Sequence, residues 1–264
     1  MSNETDPFAD WPDRTRLEHG DRVVLVYTPA EGTRDGRPWA DGAWRPPTAP
    51  VDVAATAVLD SLRGHAFSTS DTALAEALSA AGASTLRHAH EMSHPLHAVP
   101  SGDVVPGLAI EPLSARQIDR YADDLGAIHV ASYPVGHPDH AARDAAAAAQ
   151  EMRSISRGEL LGPVLDVSRL ALYDHRIVGA CVIVDREGTP PFGGPWVLDV
   201  FRDPACPAKG IGSALLVSTL AAARSAALAG VSLAVSHENA TALRLYRRLG
   251  FVDRGESLTL ALPS

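Results

Sequence analysis

The chain is poor in cysteine: among 264 residues only Cys181 and Cys206 occur, too few for a disulfide framework or a cysteine-built zinc site. No apolar run approaches the ~18 residues that cross a bilayer. The start, Met1-Ser2-Asn3-Glu4-Thr5-Asp6, lacks the basic and apolar regions of a secretory signal. A cytoplasmic protein with no membrane partner is therefore expected. Positive charge is also scarce. Twenty-three Lys and Arg face thirty-two Asp and Glu, a net charge of −9, which argues against nucleic acid and anionic lipid as partners. It gives a mild pull on cationic substrates, although simple solubility explains the same charge. Hydrophobic content of 45% with 21% charged residues is that of an ordinary globular chain, long enough for one large or two small domains.

The richest stretch is Trp196 to Phe251. Trp196-Val197-Leu198-Asp199-Val200-Phe201 is apolar and partly β-branched, which predicts a strand, and Pro204 and Pro207 stop it. Ala214 to Leu228 has no proline and no glycine and predicts a long helix, with Gly230 at its C-terminus. Val231-Ser232-Leu233-Ala234-Val235 predicts a second strand. Asn239 then caps a helix that runs to Leu249 and closes at Gly250. Between the first strand and the long helix lies Lys209-Gly210-Ile211-Gly212-Ser213. Its glycines let successive backbone N–H groups approach an anion, and the positive helix N-terminus adds to the attraction. A third glycine of the dinucleotide fingerprint is lacking, since position 215 is Leu215.

Pro207-Ala208-Lys209-Gly210-Ile211-Gly212, followed by Asn239-Ala240-Thr241-Ala242-Leu243-Arg244-Leu245-Tyr246 and Leu249-Gly250-Phe251, resembles the paired motifs of the GNAT superfamily of acyl-CoA-dependent N-acetyltransferases. The likeness extends over about Leu108 to Leu262. Pro207 departs from it, standing where the family carries Arg or Gln. The resemblance implies an α/β (α+β) fold: a mixed, mostly antiparallel sheet with splayed central parallel strands and flanking helices. It implies an acetyl-CoA site with no metal, in which Val200, Phe201 and Arg202 run beside the pantetheine arm. Ala208, Lys209, Gly210, Ile211, Gly212 and Ser213 would hold the pyrophosphate, and Asn239 would contact the cofactor. Tyr246 would protonate the departing thiolate, a sensible task for a phenol of pKa near 10; as a plain packing residue it would seat its helix on the sheet. Asp199 is the candidate base if the strand turns it toward the cleft, and His237 is the fallback. The implied reaction is direct attack of a primary amine, on a small molecule or a peptide terminus, on the thioester. A non-catalytic acyl-CoA-binding or interaction protein is the other reading, and a homodimer is compatible with either.

Elsewhere the expectations are coarser. A smaller N-terminal α/β region, 1–106, precedes the acetyltransferase-like domain, 107–264. Residues 1–20 read as an extended tail, Arg22 to Tyr27 as a strand, and Pro29 to Pro50 as a loop whose Trp39 and Trp44 either line a pocket or pack down. Helices are expected at 53–62 and 72–81, with Asp71 as a cap. The second of these helices and its glycine parallel Thr241 to Phe251, as in a degenerate copy of the acetyltransferase half. His88, His90, His94 and His97 read as a surface cluster rather than a metal site, with His94 beyond the end of a strand. Val99 to Pro106 has linker composition. Helices are expected at 115–132, where Gln117 completes a capping box after Ser114, and at 139–153. Tyr133, His137 and His140, between them, either contact the acceptor or cap and pack. A hairpin turns at Asp174-His175.

Overall fold

The computed structural model describes residues 5–102 and 105–264. The first four residues of the expected tail, and positions 103 and 104 of the expected linker, lie outside the described residues. In chain order the elements are β1 (Thr15–His19), β2 (Arg22–Arg34), β3 (Arg37–Trp44), α1 (Val51–Ser61), β4 (Ala66–Thr69), α2 (Thr72–Ala80) and β5 (Ser84–His94). They continue as β6 (Leu108–Pro112), α3 (Ala115–Arg120), α4 (Ala122–Ser132), α5 (Ala145–Ser156), β7 (Arg169–Tyr173), β8 (Arg176–Arg186) and β9 (Gly194–Arg202). The chain finishes with α6 (Ile211–Ser225), β10 (Val231–Ser236), α7 (Ala240–Arg248) and β11 (Val252–Ala261).

Two compact units form, Met1–Glu91 with Gly255–Ser264, and Met92–Arg254. They differ from the division after residue 106 expected from composition, because the last strand contributes its end to the first unit. In that unit the strand order is β1-β2-β3-β4-β11-β5. Strands β3 and β4 are parallel with Trp39 opposite Ala66, Ala40 opposite Phe67 and Ala43 opposite Thr69, and β11 is antiparallel to β4. Helices α1 and α2 bury Ala54, Val58, Leu74 and Leu78 against Leu25, Phe67 and Leu260. The supposed tail is instead anchored, with Phe8 and Trp11 buried and stacked edge to face. The supposed loop from Pro29 is a hairpin, because β2 runs on to Arg34 and turns at Asp35-Gly36 into β3. Trp39 packs down there, its indole N–H donating to Ser68 Oγ at 2.8 Å.

The second unit has the order β10-β9-β8-β7-β6. All its pairs are antiparallel except β9–β10, so the sheet is mixed and mostly antiparallel as the resemblance implies. Asp174 and His175 both take positive φ, as a two-residue turn matched to strand twist requires. On one face α6 and α7 bury Leu215, Leu220, Leu243 and Phe251 with Ile183 and Val235. On the other, α3, α4 and α5 bury Ile118, Leu125 and Met152 with Val182 and Phe201.

Several boundaries moved. The single helix expected over 115–132 is two, joined at Tyr121, and the capping box of Ser114 with Gln117 is present in the first. The helix expected from Asp139 begins only at Ala145, where Asp144 accepts from the Ala147 N–H. Ala227, not Gly230, is the left-handed residue after α6. β5 continues through His94, which is buried, as is His90, so the histidines are not a surface cluster. His94 is a structural residue: Nε2 donates to Leu249 O at 3.1 Å and Nδ1 accepts from Leu96 N at 3.0 Å.

Both halves of the chain repeat one order of elements. Three antiparallel strands are followed by a helix, a parallel strand, a helix and a last strand, as β1-β2-β3-α1-β4-α2-β5 and as β7-β8-β9-α6-β10-α7-β11.

Candidate active site

The parallel pair β9–β10 is joined at a single rung, Ser232 opposite Trp196. Beyond it the strands part, so Val200 to Arg202 lie on the diverging end of β9. Below the divergence the chain enters α6 through Gly210, whose φ of 86° is the left-handed region that favours glycine. No side chain caps α6, so its first N–H groups stay available to a ligand, and a Cβ at Gly212 would meet nothing within 4 Å. Ile211 is fully buried, so it can offer only its backbone, while Lys209 is exposed and Ala208, Gly212 and Ser213 are half-buried. A glycine turn opening onto a helix N-terminus fits a diphosphate. The matching junction of the first unit, Arg45-Pro46-Pro47-Thr48-Ala49-Pro50, has three residues without an N–H, and β3 and β4 stay paired over three rungs. The first unit has neither cradle nor cleft there.

At the mouth of the divergence stands Asp199. A bulge in β9 sets both Val197 and Asp199 against consecutive β8 residues, leaving Leu198 extra. The bulge breaks the usual alternation. Val197 and Val200 pack toward α6, while Leu198 and Phe201 pack toward α4. Asp199 follows the α4 side, where Oδ2 lies 2.6 Å from His129 Nε2 and Oδ1 accepts from the Tyr133 hydroxyl at 2.6 Å. That hydroxyl also reaches Val200 O at 3.2 Å. His129 is buried between Tyr133 and Phe201, with ring centroids at 4.9 and 5.2 Å, and its Nδ1 has no partner among the described residues. Phe201 therefore faces the core, and only its backbone can border a cofactor. Arg143 comes within 3.3 Å of His129 Nε2 and pairs with Glu151.

The segment from Tyr133 to Asp144 crosses from this network to the end of β10. Asp139 accepts from Asn239 Nδ2 at 2.8 Å and bonds the Ser236 hydroxyl. Asn239 caps α7 through Oδ1, which accepts from Ala242 N at 3.0 Å, so both ends of its amide are engaged within the protein. His137 accepts from Asp139 N and packs edge to face with Tyr133, while His140 Nδ1 donates to Tyr133 O at 2.7 Å. His237 is exposed in the turn after β10.

Tyr246 on α7 is buried, edge to face with Phe251 at 5.5 Å, and its hydroxyl bonds no side chain among the described residues. Burial raises its pKa well above the usual phenol value, and electrostatic interactions with Cys181, Asp199 and Asp139 add to the rise. Tyr133 is raised too, by burial and then by Asp199. Both phenols thus hold their protons across the neutral range.

With this geometry in place, the comparisons with known proteins are specific. Residues 122–251 match the acetyltransferase (GNAT) family model. This segment is a GNAT domain. No curated protein matches the chain. Among solved structures, a GCN5-related N-acetyltransferase from Sphaerobacter thermophilus is 17% identical with a TM-score of 0.61, over 90% of this chain and 76% of that one. A GCN5-related N-acetyltransferase from Kribbella flavida is 16% identical at a TM-score of 0.56, over 96% and 90%. A tandem GNAT protein from the clavulanic acid biosynthesis pathway is 14% identical at 0.54, over 96% and 85%. At such identities the structural likeness speaks for the fold alone. Family membership places the domain in the class of acyl-CoA-dependent acetyl transfer, with acetyl-CoA as donor substrate. No helix among the described residues is long and apolar enough to cross a membrane.

His129, Arg143, Ser236 and Asp139 were missed as site residues in the sequence. One signal was legible: His129 and Tyr133 are four apart, on one face of a helix. Asp139 gave none, because only the chain path of the 133–144 segment brings it to Asn239.

Proposed function

We propose that the chain is an N-acetyltransferase that moves acetyl from acetyl-CoA to a primary amine by direct attack. The observation that carries this is an open glycine cradle at the start of α6 together with an uncommitted phenol, Tyr246 on α7, the two helices that follow the strands of the diverging pair. Acetyl-CoA bound there supplies an activated thioester. Gly210, Gly212 and Ser213, with Ala208 and Lys209, would hold its diphosphate by backbone donors, and the β9 backbone at Val200 and Arg202 would border the pantetheine arm. A β9 amide near Val200 would receive the carbonyl oxygen as it becomes an oxyanion. The amine nitrogen bonds to the carbonyl carbon and passes a proton to Asp199, whose oxygens keep a second lone pair each beyond those used by Tyr133 and His129. As the carbon–sulfur bond breaks, the sulfur takes the Tyr246 proton, and the proton on Asp199 restores the phenol. A thiolate formed in a desolvated cleft is itself more basic than in water, which offsets the raised pKa of Tyr246.

Pro207 favours a second reading, an acyl-CoA sensor, since it brings neither a cationic side chain nor an N–H to the cradle. The first unit, with the same element order and no cradle, is best read as a degenerate second copy of the fold; the likeness to a tandem protein over 96% of the chain supports this. The test is calorimetric titration with acetyl-CoA alongside Gly210→Glu, with thiol release measured over a panel of amines. Binding lost in the variant, with thiol release for some amine, is expected. Binding without turnover would favour the sensor.

A further inference from the structure

Asp139 and Asp199 are two carboxylates at one site with no guanidinium or ammonium bonded to either among the described residues. Among the described residues neither makes an ion pair with Arg or Lys; their charged-type partners are His137, at 4.0 Å, and His129. Their remaining bonds come from uncharged groups: Ser236 and Asn239 on Asp139, and Tyr133 on Asp199. Such donors fix the carboxylates in place without adding positive charge. Arg143, which bonds His129 and pairs with Glu151, acts on Asp199 through its charge without bonding it. The side chains of Asp139 and Asp199 remain 26% and 21% exposed, so an incoming ligand can reach both. They stand on opposite sides of the divergence, Asp199 on β9 and Asp139 tied to the end of β10, and both charges act on Tyr246 and Tyr133.

An acceptor with one nitrogen needs only one of these carboxylates. We infer that the acceptor is an amine bearing a second positive charge, with the reacting nitrogen at Asp199 and the retained ammonium held by Asp139. The inference rests on the acetyl-transfer reading. It excludes amines that carry their own carboxylate, such as free amino acids, because two fixed negative charges repel them.

The test measures thiol release from acetyl-CoA with α,ω-diamines of increasing length, with n-alkyl monoamines of matching length, and with amino acids. In the unmodified protein the best diamine should exceed its monoamine in kcat/KM by about 10- to 100-fold, the worth of one hydrogen bond to a charged group. The optimum length reads out the distance between the two sites. Asp139→Asn can keep its carbonyl on Asn239 and turn its amide to Ser236, so the segment stays tied while the charge is lost. It should bring the diamine-to-monoamine ratio near one, mainly through KM. A merely structural role would lower both substrates together. Equal turnover of diamines and monoamines by the unmodified protein would overturn the inference and leave acetyl transfer standing, as would an unchanged ratio in a folded Asp139→Asn. Retained acetyl-CoA binding with no thiol release for any amine would overturn the acetyl-transfer reading itself, and this inference with it.

Discussion

Tyr246→Phe separates catalysis from packing at one atom. The ring stays, edge to face with Phe251, and only a hydroxyl that bonds no described side chain is removed. Losing a hydroxyl that bonds no described side chain costs no internal hydrogen bond, so stability should change by less than about 1 kcal/mol. If the hydroxyl delivers the proton to the sulfur, kcat should fall by about 10²- to 10⁴-fold, the usual worth of general acid catalysis. Acetyl-CoA affinity should stay close to that of the unmodified protein, since the cradle is untouched. Thiol release gives kcat, calorimetry gives the affinity, and urea denaturation gives the stability. Because burial raises the Tyr246 pKa, ionisation of this phenol should not limit kcat below about pH 9. A Tyr246→Phe protein that turns over within threefold of the parent would refute the acid role. One destabilised by several kcal/mol would show that the hydroxyl is structural.

Gly250→Ala should be destabilising by about 2–4 kcal/mol in urea denaturation: φ is +96° there, and a Cβ would lie 3.0 Å from His94 Nε2, displacing a ring that makes two hydrogen bonds. Burial lowers the His94 pKa, so the unfolded chain binds the extra proton first and stability falls as pH drops below about 6.5. His94→Gln should flatten that part of the melting-temperature profile, and an unaltered slope would count against it. Cys181 is fully buried with its thiol pushed up to about 12, whereas Cys206 is partly exposed. An aromatic disulfide reagent should therefore titrate one thiol in the folded protein and two after unfolding.

The local pattern of residues was enough to place the acetyltransferase elements. The apolar, partly β-branched run of Trp196 to Phe201, the glycine pair before an alanine- and leucine-rich run, and the Asn239 cap each act within one turn or one strand, so their physics is contained in neighbouring residues. The same holds for the capping box at Ser114 and the turn at Asp174-His175. Where several elements had to meet, local pattern was silent. The anchoring of Phe8 and Trp11 depends on a distant hairpin, and the helix expected from Asp139 starts late because Asp139 is held by Ser236 and Asn239, about a hundred residues away. Asp199 is the clearest case. Strand alternation alone left its direction open, and an inserted Leu198 opposite β8 turned it toward His129 and Tyr133. A bulge is a mismatch between two strands, and neither strand's sequence records it. Composition and motif thus determined the family and singled out the glycine turn and Tyr246 as candidates; the bonds that hold Asp139 and Asp199 were decided only when the sheet and its helices packed.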